Sequence, residues 1–291
     1  MDNDKLEARF KPLWWQWPTV LSLDAPSVAI VWQAILSYVC HVRLLYPRQL
    51  ILSLSIWLAY VADRWIEANR LEFAQIQTKR LMFYRRHRVS VLSIWIPLFF
   101  YDLYLGFHDL LKHEVMIGLY LFIAVALYLF SHQWFHRHIS WRLPKEICVA
   151  LLFGTGVGFF IGLDPNCSFS VLCFCITLFT VLCFINCSLI SIWEDSVDKT
   201  QGQQSLAQQY KFYHHIGRNF PLWYAVIVGF SLFFCDGTVR QFALSVFLSG
   251  LGLKLIDYYQ PRYGRAWARV MADAVLLTPL VFILYWRIKN Y

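Results

Sequence analysis

Residues 190–207, I-S-I-W-E-D-S-V-D-K-T-Q-G-Q-Q-S-L-A, close a long apolar run with a cluster of carboxylates. Glu194 and Asp198 stand four apart, so a helix continuing through them carries both on one face, with Asp195 beside them. An earlier apolar run ends the same way. Residues 58–67 read L-A-Y-V-A-D-R-W-I-E, and Asp63 and Glu67 repeat the four-residue spacing. Working outward from these two stretches, the 291-residue chain is 58% hydrophobic and 15% charged, against roughly 25% charged in a soluble domain. That balance excludes an ordinary soluble protein and implies an all-α polytopic membrane protein.

Runs long enough to cross about 30 Å of hydrocarbon fall at residues 26–45, 48–67, 89–107, 114–130, 146–163, 169–193, 220–235, 239–258 and 267–286. Backbone in lipid must satisfy its own hydrogen bonds, so these runs predict nine transmembrane helices in one bundle over residues 26–291, after a cytoplasmic segment at 1–25. Lys5, Arg9 and Lys11 are mixed with Asp2, Asp4 and Glu7 and precede no short apolar core, so a cleavable signal peptide is not expected. The eight cysteines are scattered through apolar segments without C-x-x-C spacing and read as small buried hydrophobes.

Lys and Arg set the orientation. Arg64, Arg70, Lys79, Arg80, Arg85, Arg86 and Arg88 stand at the end of the second run and after it, Arg137, Arg142 and Lys145 after the fourth, Lys199, Lys211 and Arg218 after the sixth, and Arg262, Arg265 and Arg269 after the eighth. The opposite loops hold only Arg43, Arg48, Lys112 and Arg240. This bias puts the N-terminus and the even-numbered loops in the cytoplasm and the C-terminus outside. It also accounts for the formal charge of +8 through topology and anionic lipid headgroups, with no need for nucleic acid.

Both acidic pairs then end helices on the same face of the membrane at one depth, where they can meet. Carboxylates crowded into one cavity repel one another unless a cation intervenes. Oxygen-only ligands with room for water suit Mg²⁺ bridging to a substrate phosphate, and the candidate metal ligands are Asp63, Glu67, Glu194, Asp195 and Asp198. Asn186 shares the Glu194–Asp198 stripe and looks into the same space; Ser55, Ala59, Asp63 and Glu67 make the matching stripe on the second helix.

The nine-helix count and these two motifs resemble the UbiA superfamily of intramembrane prenyltransferases. Its second motif, D-x-x-x-D-x-x-x-G-x-x-[ST]-L-A, is met by Glu194, Asp198, Gly202, Ser205, Leu206 and Ala207. Its first, N-D-x-x-D-x-x-x-D, is met by Asp63 and Glu67, with Ala59 and Tyr60 in place of the N-D pair. The resemblance implies that Asp63, Glu67, Glu194 and Asp198, through Mg²⁺, hold and ionise an isoprenyl diphosphate whose tail lies in the membrane. Arg64, Arg80, Lys145 and Lys199 would bind the diphosphate, and Asn186 the substrate. Tyr60, beside Asp63, is the ring that would stabilise an allylic cation. The prenyl group would pass to an aromatic, quinone-precursor or lipid acceptor. The alternative is a terpene cyclase, in which farnesyl or geranylgeranyl diphosphate captures its own cation. A third class, a non-enzymatic cation or lipid carrier, would use the same acidic mouth.

Other features read as structural. His132, His136 and His138 with His214 and His215 fall short of the ligand count of a di-iron site. Gly154, Gly156 and Gly158 lie inside an apolar run and predict close helix packing. Lys254, Asp257 and Asp273 are intramembrane charges needing partners, which a Lys254–Asp273 pair would supply.

Overall fold

The computed structural model describes residues 11–134, 144–201, 205–210 and 212–289, with side chains masked at 132–134 and 287–289. Among the described residues the chain is helical, with no strand. In order, the helices are α1 (Trp17–Val20), α2 (Asp24–Val39), α3 (Tyr46–Arg70), α4 (Lys79–Arg86), α5 (Arg88–Asp109), α6 (Lys112–Trp134) and α7 (Lys145–Gly162). They continue with α8 (Phe169–Gln201), α9 (Leu206–Gln209), α10 (Tyr213–Ile216), α11 (Phe220–Ser231), α12 (Gly237–Tyr263), α13 (Arg265–Val275) and α14 (Leu280–Lys289).

Each expected apolar run overlaps a helix. Among the described residues, six helices are long and apolar enough to cross a membrane, or seven if the bent pair Trp14–Val20 and Asp24–Val39, at 78°, is one span. The chain is an integral membrane protein. With that pair counted, two of the expected nine fall short of that test for different reasons. α3 is 25 residues long but ends in the polar sequence A-D-R-W-I-E-A-N-R, and α11 has only 12 residues.

The sequence explains the boundaries. Pro47 and Pro221 lie in the first turns of α3 and α11, where the N–H that proline lacks would be unbonded anyway. Gly264, at φ 83°, separates α12 from α13, a left-handed conformation that glycine adopts at no steric cost. α8 has 33 residues, about 50 Å at 1.5 Å per residue, so its acidic end projects past a hydrocarbon core about 30 Å thick.

Packing centres on α2 and α8. The Trp32 indole of α2 is fully buried, stacks on Phe179 of α8 at 4.7 Å, meets Phe242 of α12 edge-on at 5.2 Å and donates to the Leu276 carbonyl at 2.7 Å. α7 lies close against α8, as the glycines predict. A Cβ on Gly154 would meet Thr180 Oγ1 at 2.0 Å, and one on Gly158 would meet Ile176 Cδ1 at 2.2 Å. α5 and α6 expose most of their large apolar side chains and form the lipid-facing wall.

Candidate functional site

The helices enclose a cavity of about 910 Å³, lined by α2, α3, α5, α6, α7, α8 and α13 with Arg80 of α4. Phe99, Phe122, Phe153, Phe159, Phe160 and many aliphatic side chains make its walls apolar. The polar groups collect toward one end because the helices alternate in direction. α3 and α8 arrive there by their C-termini and α7 and α13 by their N-termini, which brings together Asp63, Glu67, Glu194, Asp198, Lys145 and Arg269.

In this arrangement the acids are answered by bases. Arg64 Nη1 lies 3.6 Å from Asp63 Oδ2 and 3.7 Å from Glu67 Oε2. Glu194 Oε2 is shared by Arg269 Nη1 at 2.5 Å and Arg80 Nη2 at 3.5 Å, and Lys145 Nζ meets Asp198 Oδ2 at 3.5 Å. The bases still have capacity left. Nε and Nη1 of Arg80 and Nε of Arg269 are buried donors with no hydrogen-bond partner, which is costly for charged groups. Burial, followed by the neighbouring Arg269 and Arg64 guanidiniums, pulls the Arg80 pKa down from 12.5 to about 10. An anion supplied from outside would fill the vacant donors and relieve that repulsion.

The sequence-expected residues separate on this geometry. Asp63, Glu67, Glu194, Asp198, Tyr60, Arg64, Arg80, Lys145 and Asn186 all line the cavity. Asp195 and Lys199 do not: Lys199 Nζ bonds Asp195 Oδ2 at 2.6 Å, and His214 Nε2 is 3.6 Å from the same oxygen. One residue beyond Glu194 is about 100° around the helix, which turns Asp195 off the cavity face. Lys254 takes Asp257, at 3.5 Å, in place of Asp273. Asp257 also accepts from Trp193 Nε1 at 3.0 Å and lies 3.3 Å from Arg218, a cluster that fastens α12 to α8. Of the second motif, Ser205 and Leu206 are buried and the Leu206 N–H donates to Glu146 Oε1 at 3.1 Å. Gly202, Arg142, His136 and His138 lie outside the described residues.

Sequence reading missed Arg269 as a site residue, along with Asp24, Glu146, Asp102 and the cavity role of Asp273. The available signal was the spacing of Arg269 and Asp273, four apart on one face of an apolar helix.

Carboxylate oxygens from α3 and α8 facing one cavity fit Mg²⁺ in donor chemistry. As they stand, no group of three or more His, Cys, Asp or Glu is gathered for a metal among the described residues. The oxygens that a cation would take are held by Arg64, Arg80, Arg269 and Lys145.

Fold and cavity together define an all-helical integral membrane protein with a charged mouth on an apolar chamber. Among solved structures the chain is similar to the apo structure of a UbiA homolog from Aeropyrum pernix K1, with a TM-score of 0.61 and 10% identity over 91% of this chain and 98% of that one. The chain therefore has the UbiA fold. No protein-family model matches the sequence, and no curated protein matches it.

Proposed function

We propose that this chain is an intramembrane prenyltransferase acting on an isoprenyl diphosphate. The observation that carries the reading is the set of vacant guanidinium donors on Arg80 and Arg269, beside paired carboxylates, at one end of an apolar cavity of about 910 Å³. A diphosphate attached to a hydrocarbon chain is complementary to that combination at both ends.

Arg80, Arg269, Arg64 and Lys145 bind the diphosphate, giving up part of their contact with the carboxylates. Asp63, Glu67, Glu194 and Asp198 would hold Mg²⁺, which when bound neutralises charge on a leaving diphosphate. The apolar walls take the prenyl chain and keep water from the reacting carbon. Tyr60, one turn nearer the chamber than Asp63, presents an aromatic ring at the level where positive charge develops. The Lys and Arg bias of the loops supports a cytoplasmic mouth and an outward C-terminus.

The test is purified protein in nanodiscs with Mg²⁺ and geranyl, farnesyl or geranylgeranyl diphosphate, with and without aromatic, quinone-precursor or lipid acceptors. Asp63→Ala and Asp198→Ala serve as controls. Acceptor-dependent diphosphate release that both substitutions abolish supports the transferase. A cyclic terpene formed without acceptor replaces it with the cyclase reading, and no release under any condition turns the function toward binding or transport.

A further inference from the structure

The far end of the cavity is as definite as its mouth. On α3 the lining stops at Ile51, about 18 Å along the helix from Asp63, and on α7 it stops at Phe160, about 22 Å from Lys145. Beside that end the first turn of α3 is tied to the start of α6. Arg48 Nη2 lies 2.8 Å from Glu114 Oε1, and Glu114 Oε2 accepts the Leu111 N–H at 2.9 Å, so both carboxylate oxygens are taken. Glu114 lines the cavity, and its side chain is 3% exposed. Separating such a pair leaves an uncompensated buried charge, and a hydrocarbon tail offers nothing to replace either partner.

Three glycines line this deep end: Gly106 of α5, Gly118 of α6 and Gly156 of α7. They differ from Gly154 and Gly158, where an added Cβ would collide with α8. Among the described residues a Cβ on Gly106 would meet nothing within 4 Å, one on Gly118 only the Phe159 ring, from 3.6 Å, and one on Gly156 only Leu52 Cδ1, at 3.7 Å. The space these three leave goes to the cavity and not to a neighbouring helix.

We infer that the cavity measures its substrate: it takes prenyl chains of up to twenty carbons and rejects thirty, the limit being set by the Arg48–Glu114 pair and by the room left at Gly106, Gly118 and Gly156. This rests on the reading of the mouth as a diphosphate seat. An isoprene unit adds about 4–5 Å to an extended chain, so four units reach about 16–20 Å and six about 24–30 Å. The first length ends where the lining ends; the second has to part the ion pair or buckle. Lipid is as apolar as the chamber, so a short tail gains little by entering it. Discrimination therefore falls on chains that overrun the end, more than on chains that stop short of it.

The experiment measures binding of geranyl, geranylgeranyl and hexaprenyl diphosphate to the full chain in nanodiscs, without Mg²⁺ so that none is consumed. Tryptophan fluorescence is the readout, because Trp95 lines the cavity, and empty nanodiscs correct for partition into lipid. The wild type is expected to bind geranyl and geranylgeranyl diphosphate within about fivefold of each other and hexaprenyl diphosphate at least tenfold more weakly. In Gly106→Leu and in Gly118→Leu the ratio of the geranylgeranyl to the geranyl Kd should rise at least tenfold. In the double variant Arg48→Met with Glu114→Gln, which keeps an acceptor for the Leu111 N–H, the hexaprenyl penalty should shrink below threefold. Hexaprenyl diphosphate bound by the wild type as tightly as geranylgeranyl overturns the inference, as does an unchanged ratio in both glycine variants or a penalty undiminished in the double variant. Binding that shows the cut-off, but no diphosphate release once Mg²⁺ and acceptors are added, defeats the prenyltransferase reading and leaves the length limit standing.

Discussion

The Arg269–Glu194 contact joins α13 to α8 at the mouth, and its strength can be measured by a double-mutant cycle of Arg269→Ala, Glu194→Gln and the pair. The side chains are 15% and 12% exposed and approach to 2.5 Å. Opposite unit charges about 3 Å apart at an effective dielectric of about 20 attract by about 5 kcal/mol. Desolvation offsets part of this, and Arg80 remains 3.5 Å from Glu194 when Arg269 is gone, which softens the loss. The coupling energy is therefore expected near 2–3 kcal/mol, within the range seen for contacting charges. Arg269→Ala alone should be the most destabilising corner, since it removes a charge and packing from a buried interface. The assay is reversible unfolding in mixed lipid–detergent micelles titrated with dodecyl sulfate, applied to all four proteins. A coupling below about 0.5 kcal/mol, the scatter of independent sites, would refute the pairing and with it the placement of Arg269 at the mouth.

Gly154→Ala should destabilise by about 1–3 kcal/mol through overpacking against Thr180, whereas Gly106→Ala, with nothing within 4 Å, should be neutral or stabilising by up to about 1 kcal/mol; the same unfolding assay separates them. Asp195→Asn and Lys199→Ala should change stability by less than about 0.5 kcal/mol and leave prenyl turnover intact, because their ion pair is off the cavity and Lys199 is 64% exposed; a tenfold loss of turnover would return them to the site. Trp193→Phe removes the bond to Asp257 and should cost about 1–3 kcal/mol, read as a lower unfolding midpoint, without altering inorganic diphosphate binding. Chelation of Mg²⁺ should abolish diphosphate release and readdition restore it; turnover that persists in excess chelator would assign the diphosphate to the basic residues alone.

The helices and the two acidic stripes were legible in the sequence because both follow from period and length. Four-residue spacing puts Asp63 with Glu67 and Glu194 with Asp198 on single faces, and apolar runs of membrane-crossing length fix the depth of those faces. The glycine run 154–158 was readable for the same reason, as small residues let two helices approach. Local pattern could not say which neighbour of an acid turns away. Asp195 and Asp198 carry the same chemistry, and only the rotational setting of α8 sends the first to Lys199 and the second to Lys145.

Partner choice was decided by the tertiary structure alone. Arg269 meets Glu194 across 75 residues of chain, and Asn186 meets Asp273 across 87, because α13 packs on α8. Asp24 comes to line the same cavity through the bend between α1 and α2, a position with no periodicity to announce it. The sequence by itself determined a helical membrane protein with paired acids at a common depth, since hydrophobic length and helical repeat are local properties. Helix packing decided which charges neutralise one another and which buried donors and acceptors are left for a ligand, because that depends on contacts between residues far apart in the chain.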